Sequence, residues 1–172
     1  LSDQIDAVAI ENKKKFATKV DKLNTSYKKL SVGEQALVTS YSRLGYLTPF
    51  AEATGSFYSL KTKSPNYKTD VTTLLTTLNG LNPNVANTED QTALQKLRDE
   101  LLASVQKLES QLTNADGVIT LIDTANGTFT NNNDQLLAIQ AARTAYNDLP
   151  KEEQKLVTNL KTLTALEKGI KQ

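Results

Sequence analysis

Residues 88–124 constrain the fold most strongly, because their apolar side chains recur with the period of one long helix. Steps of three or four residues separate them, as on one face of an α-helix; the positions are Leu94, Leu97, Leu101, Val105, Leu108, Leu112, Ala115, Ile119 and Ile122. Thr88 followed by Gln91 predicts a capping box at the start. At about 1.5 Å per residue the helix would span roughly 55 Å, which predicts a connection between two bundles. A break at Asn114–Gly117, beside the segment's one glycine, is the alternative.

The sequence also contains an internal repeat. Residues 27–39 (Tyr-Lys-Lys-Leu-Ser-Val-Gly-Glu-Gln-Ala-Leu-Val-Thr) align without a gap with residues 146–158 (Tyr-Asn-Asp-Leu-Pro-Lys-Glu-Glu-Gln-Lys-Leu-Val-Thr), at an offset of 119. Further correspondences are Leu44 with Leu163, Val20 with Ile139, and Ile5-Asp6 with Ile122-Asp123 after a two-residue gap. This self-similarity predicts a duplicated unit of helix, tight turn and helix.

Together these patterns predict an all-α fold of elongated tandem helical bundles, of three-helix or spectrin-like type, sharing a long central helix. The predicted boundaries are 1–87 for the first bundle, 88–124 for the shared connecting helix and 125–172 for the remainder of the second bundle. Residues 1–30 are predicted to form one helix. Pro49 predicts a bend or an end in the helix that follows, and a strand is the alternative at 71–78 because threonine is frequent there.

Composition excludes several kinds of site. The 20 basic and 19 acidic residues give a net charge of +1, which offers no overall attraction to nucleic acid. Cys and His do not occur, which excludes disulfides, thiolate or imidazole catalysis and His/Cys metal sites. No apolar run reaches the about 18 residues of a membrane span. We therefore expect no enzymatic activity, no cofactor, no metal, no nucleic-acid partner and no membrane insertion.

The second copy of the repeat carries a family resemblance. Residues 118–123 (Val-Ile-Thr-Leu-Ile-Asp), 141–149 (Ala-Ala-Arg-Thr-Ala-Tyr-Asn-Asp-Leu) and 153–159 (Glu-Gln-Lys-Leu-Val-Thr-Asn) resemble helical repeats of S-layer-type and other multidomain cell-wall proteins of Gram-positive bacteria. The first copy is more divergent, with Ser40 in the place of Asn159. The resemblance implies an extracellular, all-helical, non-enzymatic module at the cell surface, and it transfers no catalytic residue.

Two groups of residues are candidates for ligand or partner contact. The basic run Lys13, Lys14 and Lys15 is typical of a solvated helix face, with contact to an anionic polymer as the alternative. Eight of the ten aromatic residues lie within the first 67 positions. They predict an aromatic core or, alternatively, a platform for glycan or peptide contact; the candidates for that platform are Tyr41, Tyr46, Tyr58 and Tyr67.

Acidic residues in two places call for a structural interpretation. Glu34 and Glu153 fall in the first turn of a helix, where a capping role is expected rather than catalysis. The oxygen-bearing residues between Asp123 and Asp134 lack the spacing of an EF-hand, so turn and cap chemistry is favoured over a calcium site.

Two hypotheses about function follow. The leading one is a non-enzymatic spacer in a secreted Gram-positive surface protein, located at the cell wall and positioning neighbouring domains of a longer polypeptide. The start at Leu1 rather than Met agrees with a mature or excised piece. The alternative is an adhesin, or a module that binds cell-wall polymer, glycan or like modules through the aromatic-rich first bundle.

Overall fold

The protein is all-α in a computed structural model that describes residues 1–170. These residues are 76% helical, and no strand occurs among them. In chain order the helices are α1 (Ser2–Asp6), α2 (Lys13–Lys28), α3 (Val32–Ala36), α4 (Tyr41–Ser59), α5 (Tyr67–Gly80), α6 (Thr88–Ala125), α7 (Asn132–Asp148), α8 (Lys151–Gln154) and α9 (Leu160–Ile170). The predicted all-α class is confirmed, and the strand considered for residues 71–78 is wrong, since this segment lies in α5.

The chain divides into two compact units, each with its own core. Unit 1 is Leu1–Gln106 and unit 2 is Lys107–Gln172, so the boundary falls inside α6 rather than at either of its ends. The largest fully buried side chains of unit 1 are Phe16, Phe50, Ile5, Leu44, Leu47, Leu78, Leu94, Val20, Val71 and Val105. The core of unit 2 consists of Ala115, Val118, Ile122, Ala125, Ile139, Ala142, Val157 and Leu163.

The long central helix is confirmed. α6 runs without interruption from Thr88 to Ala125 and passes through Gly117, where the helix surface is open. Its cap differs from the prediction, because Asn87 and not Thr88 accepts the first-turn hydrogen bond, from the Asp90 amide at 2.9 Å. The short amide side chain of asparagine suits this position well.

The single helix predicted for residues 1–30 is wrong, because the chain breaks between α1 and α2. Val8 and Ile10 are both buried although they are two residues apart, a spacing that one face of a helix does not provide. The break is stabilised from α4. The guanidinium of Arg43 donates to the carbonyl oxygens of Ile5, Asp6 and Val8, at the end of α1 and just beyond it, where the full set of helical hydrogen bonds is no longer made.

The helix does not end at Pro49, one of the two outcomes predicted there, since α4 continues past it to Ser59. Pro49 has no N–H to donate to the carbonyl of Gly45, but Gly45 lies exposed, where water can bond that oxygen. Leu47 and Phe50, on either side of the proline, are buried in the core. Burial of this face outweighs the local cost of the proline.

The repeat predicted from the sequence is visible in the helix boundaries. Adding 119 to the bounds of α2 gives 132–147, close to those of α7, and α4 and α9 begin at the corresponding residues Tyr41 and Leu160. The turn after the first long helix is held by the same residue in both copies. The side-chain amide of Gln35 donates to the Leu30 carbonyl at 3.1 Å, and that of Gln154 donates to the Leu149 carbonyl at 3.0 Å.

Each copy has one more turn than the predicted helix, turn and helix. The short helices α3 and α8 end before α4 and α9 begin, so the single tight turn predicted in each copy is in fact two turns with a short helix between them. In each copy, a side chain at the second turn bonds the helix that precedes the first long helix of that copy, which is α1 in unit 1 and α6 in unit 2. The hydroxyl of Ser40 donates to Asp6 at 2.8 Å in unit 1, and the amide of Asn159 donates to Asp123 at 2.8 Å in unit 2.

Replacing Gly117 with Ala tests the continuity of α6. A Cβ at this position meets no atom within 4 Å, so the substitution should raise the free energy of unfolding of unit 2 by about 0.5–1 kcal/mol through helix propensity alone. Urea unfolding followed by circular dichroism measures this change. Gly127→Ala is the control, because its Cβ would lie 3.0 Å from the Thr124 carbonyl oxygen and should bring no gain. A destabilised Gly117→Ala variant would argue against an unbroken helix.

Candidate functional site

The three lysines of the predicted basic run differ in their surroundings: one forms an ion pair, and two line an open groove. Lys13 pairs with Glu100 of α6 within unit 1, and its hydrogen bond lowers the pKa of that carboxyl. Lys14 and Lys15 are exposed. Only these two of the three lysines therefore remain available to a ligand.

Lys14 and Lys15 border the groove, which runs along α2 beside α1. It has a volume of about 880 Å³ and is lined by Gln4, Asn12, Lys14, Lys15, Thr18, Lys19, Lys22, Leu23 and Ser26. Lys19 and Lys22 were missed as site residues, although their spacing from Lys15 of four and seven residues places all three on one helix face. The groove thus combines four ammonium groups with an apolar floor at Leu23.

The structure does not assemble the four candidate tyrosines into one platform. Tyr67 is 5% exposed and belongs to the core, while Tyr46 is held by Asp90. Tyr41 and Tyr58 are exposed but lie 17 positions apart on α4, or about 25 Å along the helix. Tyr41 stacks instead on Tyr27, with ring centroids 4.3 Å apart.

The strongest polar cluster of unit 1 joins Arg43, Asp90 and Tyr46. Arg43 donates two hydrogen bonds of 2.7 Å to the two carboxylate oxygens of Asp90, and the Tyr46 hydroxyl donates to one of them at 2.6 Å. The side chains of Arg43 and Asp90 are only 16% and 8% exposed. Since Arg43 also bonds the end of α1, the cluster connects α1, α4 and the first turn of α6.

The electrostatics of this cluster are those of a structural ion pair. Burial works to raise the pKa of Asp90, but the hydrogen bonds from Arg43 and Tyr46 outweigh it and leave that pKa below its ordinary value. Burial and the bond to Asp90 raise the pKa of Tyr46 to about 12. A carboxylate that is ionised and fully engaged and a phenol that stays protonated provide neither a general base nor a nucleophile near neutral pH.

The two glutamates of the repeat have different roles. Glu34 closes the predicted capping box, with Ser31 N and Oγ donating to its carboxylate at 2.8 and 2.6 Å, and these bonds lower its pKa. Glu153 is 7% exposed and accepts from Asn114 of α6 at 3.2 Å. The expected cap does not form there, because Pro150 stands in the place of Ser31 and has neither hydroxyl nor N–H to offer.

In the loop considered as a calcium site, the oxygen-bearing side chains form hydrogen bonds within the protein. Asn131 accepts from the Asp134 amide at 3.0 Å and caps α7, while Asp123 accepts from Asn159. Within residues 1–170, no three carboxylates lie close enough together to hold a metal ion. Among the helices of those residues, none combines the length and apolarity needed to cross a membrane.

Comparison of the chain with models of protein families, with curated proteins and with solved structures gave no match.

Replacing Asp90 with Asn should lower the free energy of unfolding of unit 1 by about 2–3 kcal/mol at neutral pH, because the mostly buried Arg43 would lose its countercharge. Urea unfolding monitored by tyrosine fluorescence measures the difference. The folded-state pKa of Asp90 lies below the ordinary 3.8, so its contribution is complete above that value and is lost as the pH falls through the lowered one. The difference between the native chain and Asp90→Asn should therefore shrink on acidification.

Glu100→Gln is the matched control, because it removes one carboxylate from an ion pair whose side chains are 37% and 40% exposed. Pairs this accessible to water contribute little, so the unfolding transition should hardly move. Equal stability of Asp90→Asn and the native chain at neutral pH would contradict the structural role of the cluster.

Proposed function

We propose that the chain is a non-enzymatic structural module of a secreted surface protein of a Gram-positive bacterium, where it holds neighbouring domains at a set distance from the cell wall. The finer architecture in this proposal is a pair of elongated, spectrin-like bundles coupled through α6. The observation that carries it is the continuity of α6 through the boundary between the two units at Gln106.

The duplication supports a modular, repeat-type role. Two copies of one helical unit follow each other along the chain, with matching helix boundaries and matching turn contacts at Gln35 and Gln154. In repeat proteins, stability comes from each unit and from the interface with its neighbour, and function comes from the length and stiffness of the array. A helix common to two units is one way to make such a connection stiff.

The use of polar side chains agrees with this role. Arg43, Asp90 and Tyr46 bond one another, and Arg143 makes two bonds of 2.6 and 2.7 Å to Glu167 between α7 and α9. Bidentate pairs of this kind fix the positions of helices. The strongest polar interactions thus serve helix placement rather than chemistry on a substrate.

Small-angle X-ray scattering tests the spacer proposal. A compact globule of this length would have a radius of gyration of about 16 Å. A spacer stiffened by α6 should exceed that value clearly, with a maximum dimension of at least the roughly 57 Å that 38 helical residues span. A radius of gyration near the compact value would overturn the proposal.

Gln106→Pro sharpens the same experiment, because proline inside a helix breaks or kinks it. Gln106 is exposed at the boundary of the two units, so the substitution should leave both cores intact while changing the scattering profile. Gln106→Ala is the matched control and should scatter like the native chain. If Gln106→Pro also scatters like the native chain, the unbroken helix does not set the spacing.

Binding of an anionic cell-wall polymer is the second candidate, and the groove along α2 favours it. Lys15, Lys19 and Lys22 follow one another on an exposed helix face beside an apolar floor. Clustered ammonium groups attract a polyphosphate chain, and salt screens that attraction. The tyrosines proposed from the sequence do not extend this surface, since Tyr46 and Tyr67 are engaged within unit 1.

A synthetic poly(glycerol phosphate) tests this candidate by calorimetry at low salt. Changing Lys15, Lys19 and Lys22 to Gln should abolish binding if the groove is the site. The control changes Lys29, Lys61 and Lys63 to Gln, which removes the same charge from exposed positions elsewhere on unit 1. Equal losses in both variants would mean that only net charge is sensed, and absence of binding by the native chain would exclude this candidate.

A further inference from the structure

Tyr27 and Tyr41 form a stacked pair of phenol rings in unit 1. Their ring centroids lie 4.3 Å apart, and the planes of the two rings differ by 15°. At this separation, carbon atoms of one ring are near van der Waals contact with the face of the other. The two phenols are thus already about as close as two unbonded rings come.

The backbone holds both tyrosines in place. Tyr27 lies in the last turn of α2, and its carbonyl oxygen accepts a hydrogen bond from the side-chain amide of Gln35 at 3.2 Å. Tyr41 begins α4, and its N–H donates to the Val38 carbonyl at 3.3 Å. Because α2 and α4 pack against each other, the stack belongs to the helix arrangement of unit 1.

Composition makes tyrosine the residue that an oxidant attacks first. Oxidants react readily with sulfur, indole and imidazole side chains, and the chain contains no Cys, Met, Trp or His. Its six tyrosines are therefore its most readily oxidised residues. Tyr41 is 48% exposed, so an oxidant in solution can reach the stacked pair.

The other tyrosines of unit 1 are placed differently. Tyr67 is 5% exposed, and the Tyr46 hydroxyl donates to Asp90 at 2.6 Å. Tyr58 is 44% exposed, but its ring meets the edge of Phe57, which carries no hydroxyl. Exposure to an oxidant and contact with a second phenol are combined at Tyr27 and Tyr41.

The duplication shows that the fold itself does not require this pair. At the offset of 119, unit 2 has Tyr146 in the place of Tyr27 but Leu160 in the place of Tyr41. The ring of Tyr146 lies instead under the guanidinium of Arg143, which is 5.5 Å from the ring centroid. Since leucine fills the equivalent position of the same helical unit, a second phenol is an addition specific to unit 1.

We propose that Tyr27 and Tyr41 are a site of oxidative crosslinking, at which a haem peroxidase acting with hydrogen peroxide joins the two rings as one dityrosine. Each phenol gives up one electron and one proton, and the peroxide is reduced to two molecules of water. The two phenoxyl radicals then form a carbon–carbon bond between ring positions next to their hydroxyl groups. The hydrogens on those two carbons leave as protons, and both oxygens regain a proton, so the chain loses two hydrogen atoms in all.

The stacked arrangement suits this coupling. The orbitals that form the new bond stand perpendicular to the ring planes, so two radicals combine most readily when the rings face each other. Holding both reacting groups side by side in one molecule also favours their reaction over encounters between separate molecules. The bond would join the end of α2 to the start of α4. Closing that loop restricts the unfolded chain and should stabilise unit 1.

Oxidation of the full chain in dilute solution tests the proposal. A haem peroxidase and hydrogen peroxide should produce dityrosine fluorescence in a chain that remains a monomer on a denaturing gel, with a mass lower by two hydrogen atoms. Trypsin separates the two tyrosines of the native chain, because it cuts after Lys22, Lys28, Lys29 and Arg43. After oxidation, residues 23–28 and residues 30–43 should be recovered as one crosslinked species.

Tyr-to-Phe variants assign the site. Tyr41→Phe keeps a ring in the stack but removes its hydroxyl, so dityrosine in the monomer should fall by at least about tenfold once the neighbouring phenol is gone. Tyr27→Phe should behave in the same way. Tyr58→Phe is the matched control, because it removes an exposed phenol from the same helix as Tyr41 and should leave the yield unchanged.

Three results would overturn the proposal. These are no dityrosine in the oxidised native chain, dityrosine confined to dimers or to other pairs of tyrosines, and an undiminished monomer signal in Tyr41→Phe. Circular dichroism before oxidation shows whether each variant is folded. The peptide map of the native chain decides the question even where a variant is not.

Discussion

The apolar stripe of α6 is the feature on which both units depend. Leu94, Leu97, Leu101 and Val105 complete the core of unit 1, and Ala115, Val118 and Ile122 belong to the core of unit 2. These side chains lie on one continuous helix, which therefore contributes to two separate cores. A substitution at a buried position of either half of this stripe would disturb the close packing of the core to which that half belongs.

The two copies keep one backbone plan while their side-chain contacts differ. Asn24 bonds Thr48 at 2.9 Å in unit 1, and the corresponding pair in unit 2 is the bidentate Arg143–Glu167. The glutamate of the turn caps α3 where serine precedes it and bonds α6 where proline does. What has been retained is the apolar spacing and the glutamine that closes the first turn. Both copies place their helices with these shared features, and each copy adds polar pairs of its own that hold its helices together.

Local patterns in the sequence were sufficient for the elements whose signals are local. The period of α6 and the cap at Glu34 depend on residues a few positions apart, and the repeat is visible when the sequence is aligned with itself; the structure confirms all three. The break after α1 depends on Arg43, more than 30 residues away, and no periodicity reveals such a partner. The helix through Pro49 persists because of burial on both sides of it. The basic groove was half predicted, since Lys14 and Lys15 stand in a run while Lys19 and Lys22 join them only once the helix face is considered.

At the boundary between the units, α6 is stabilised by helix propensity as well as by tertiary packing. Between Val105 and Ala115 no side chain of α6 is fully buried, so tertiary contacts stabilise this stretch least. Six of the seven residues from 106 to 112 are Gln, Lys, Leu or Glu, which are among the strongest helix formers. Gly117 lies beyond this stretch, beside Ala115 and Val118 of the core, where burial offsets its cost. Strong helix formers thus occur where packing is weakest, and the glycine occurs where packing can hold the helix together.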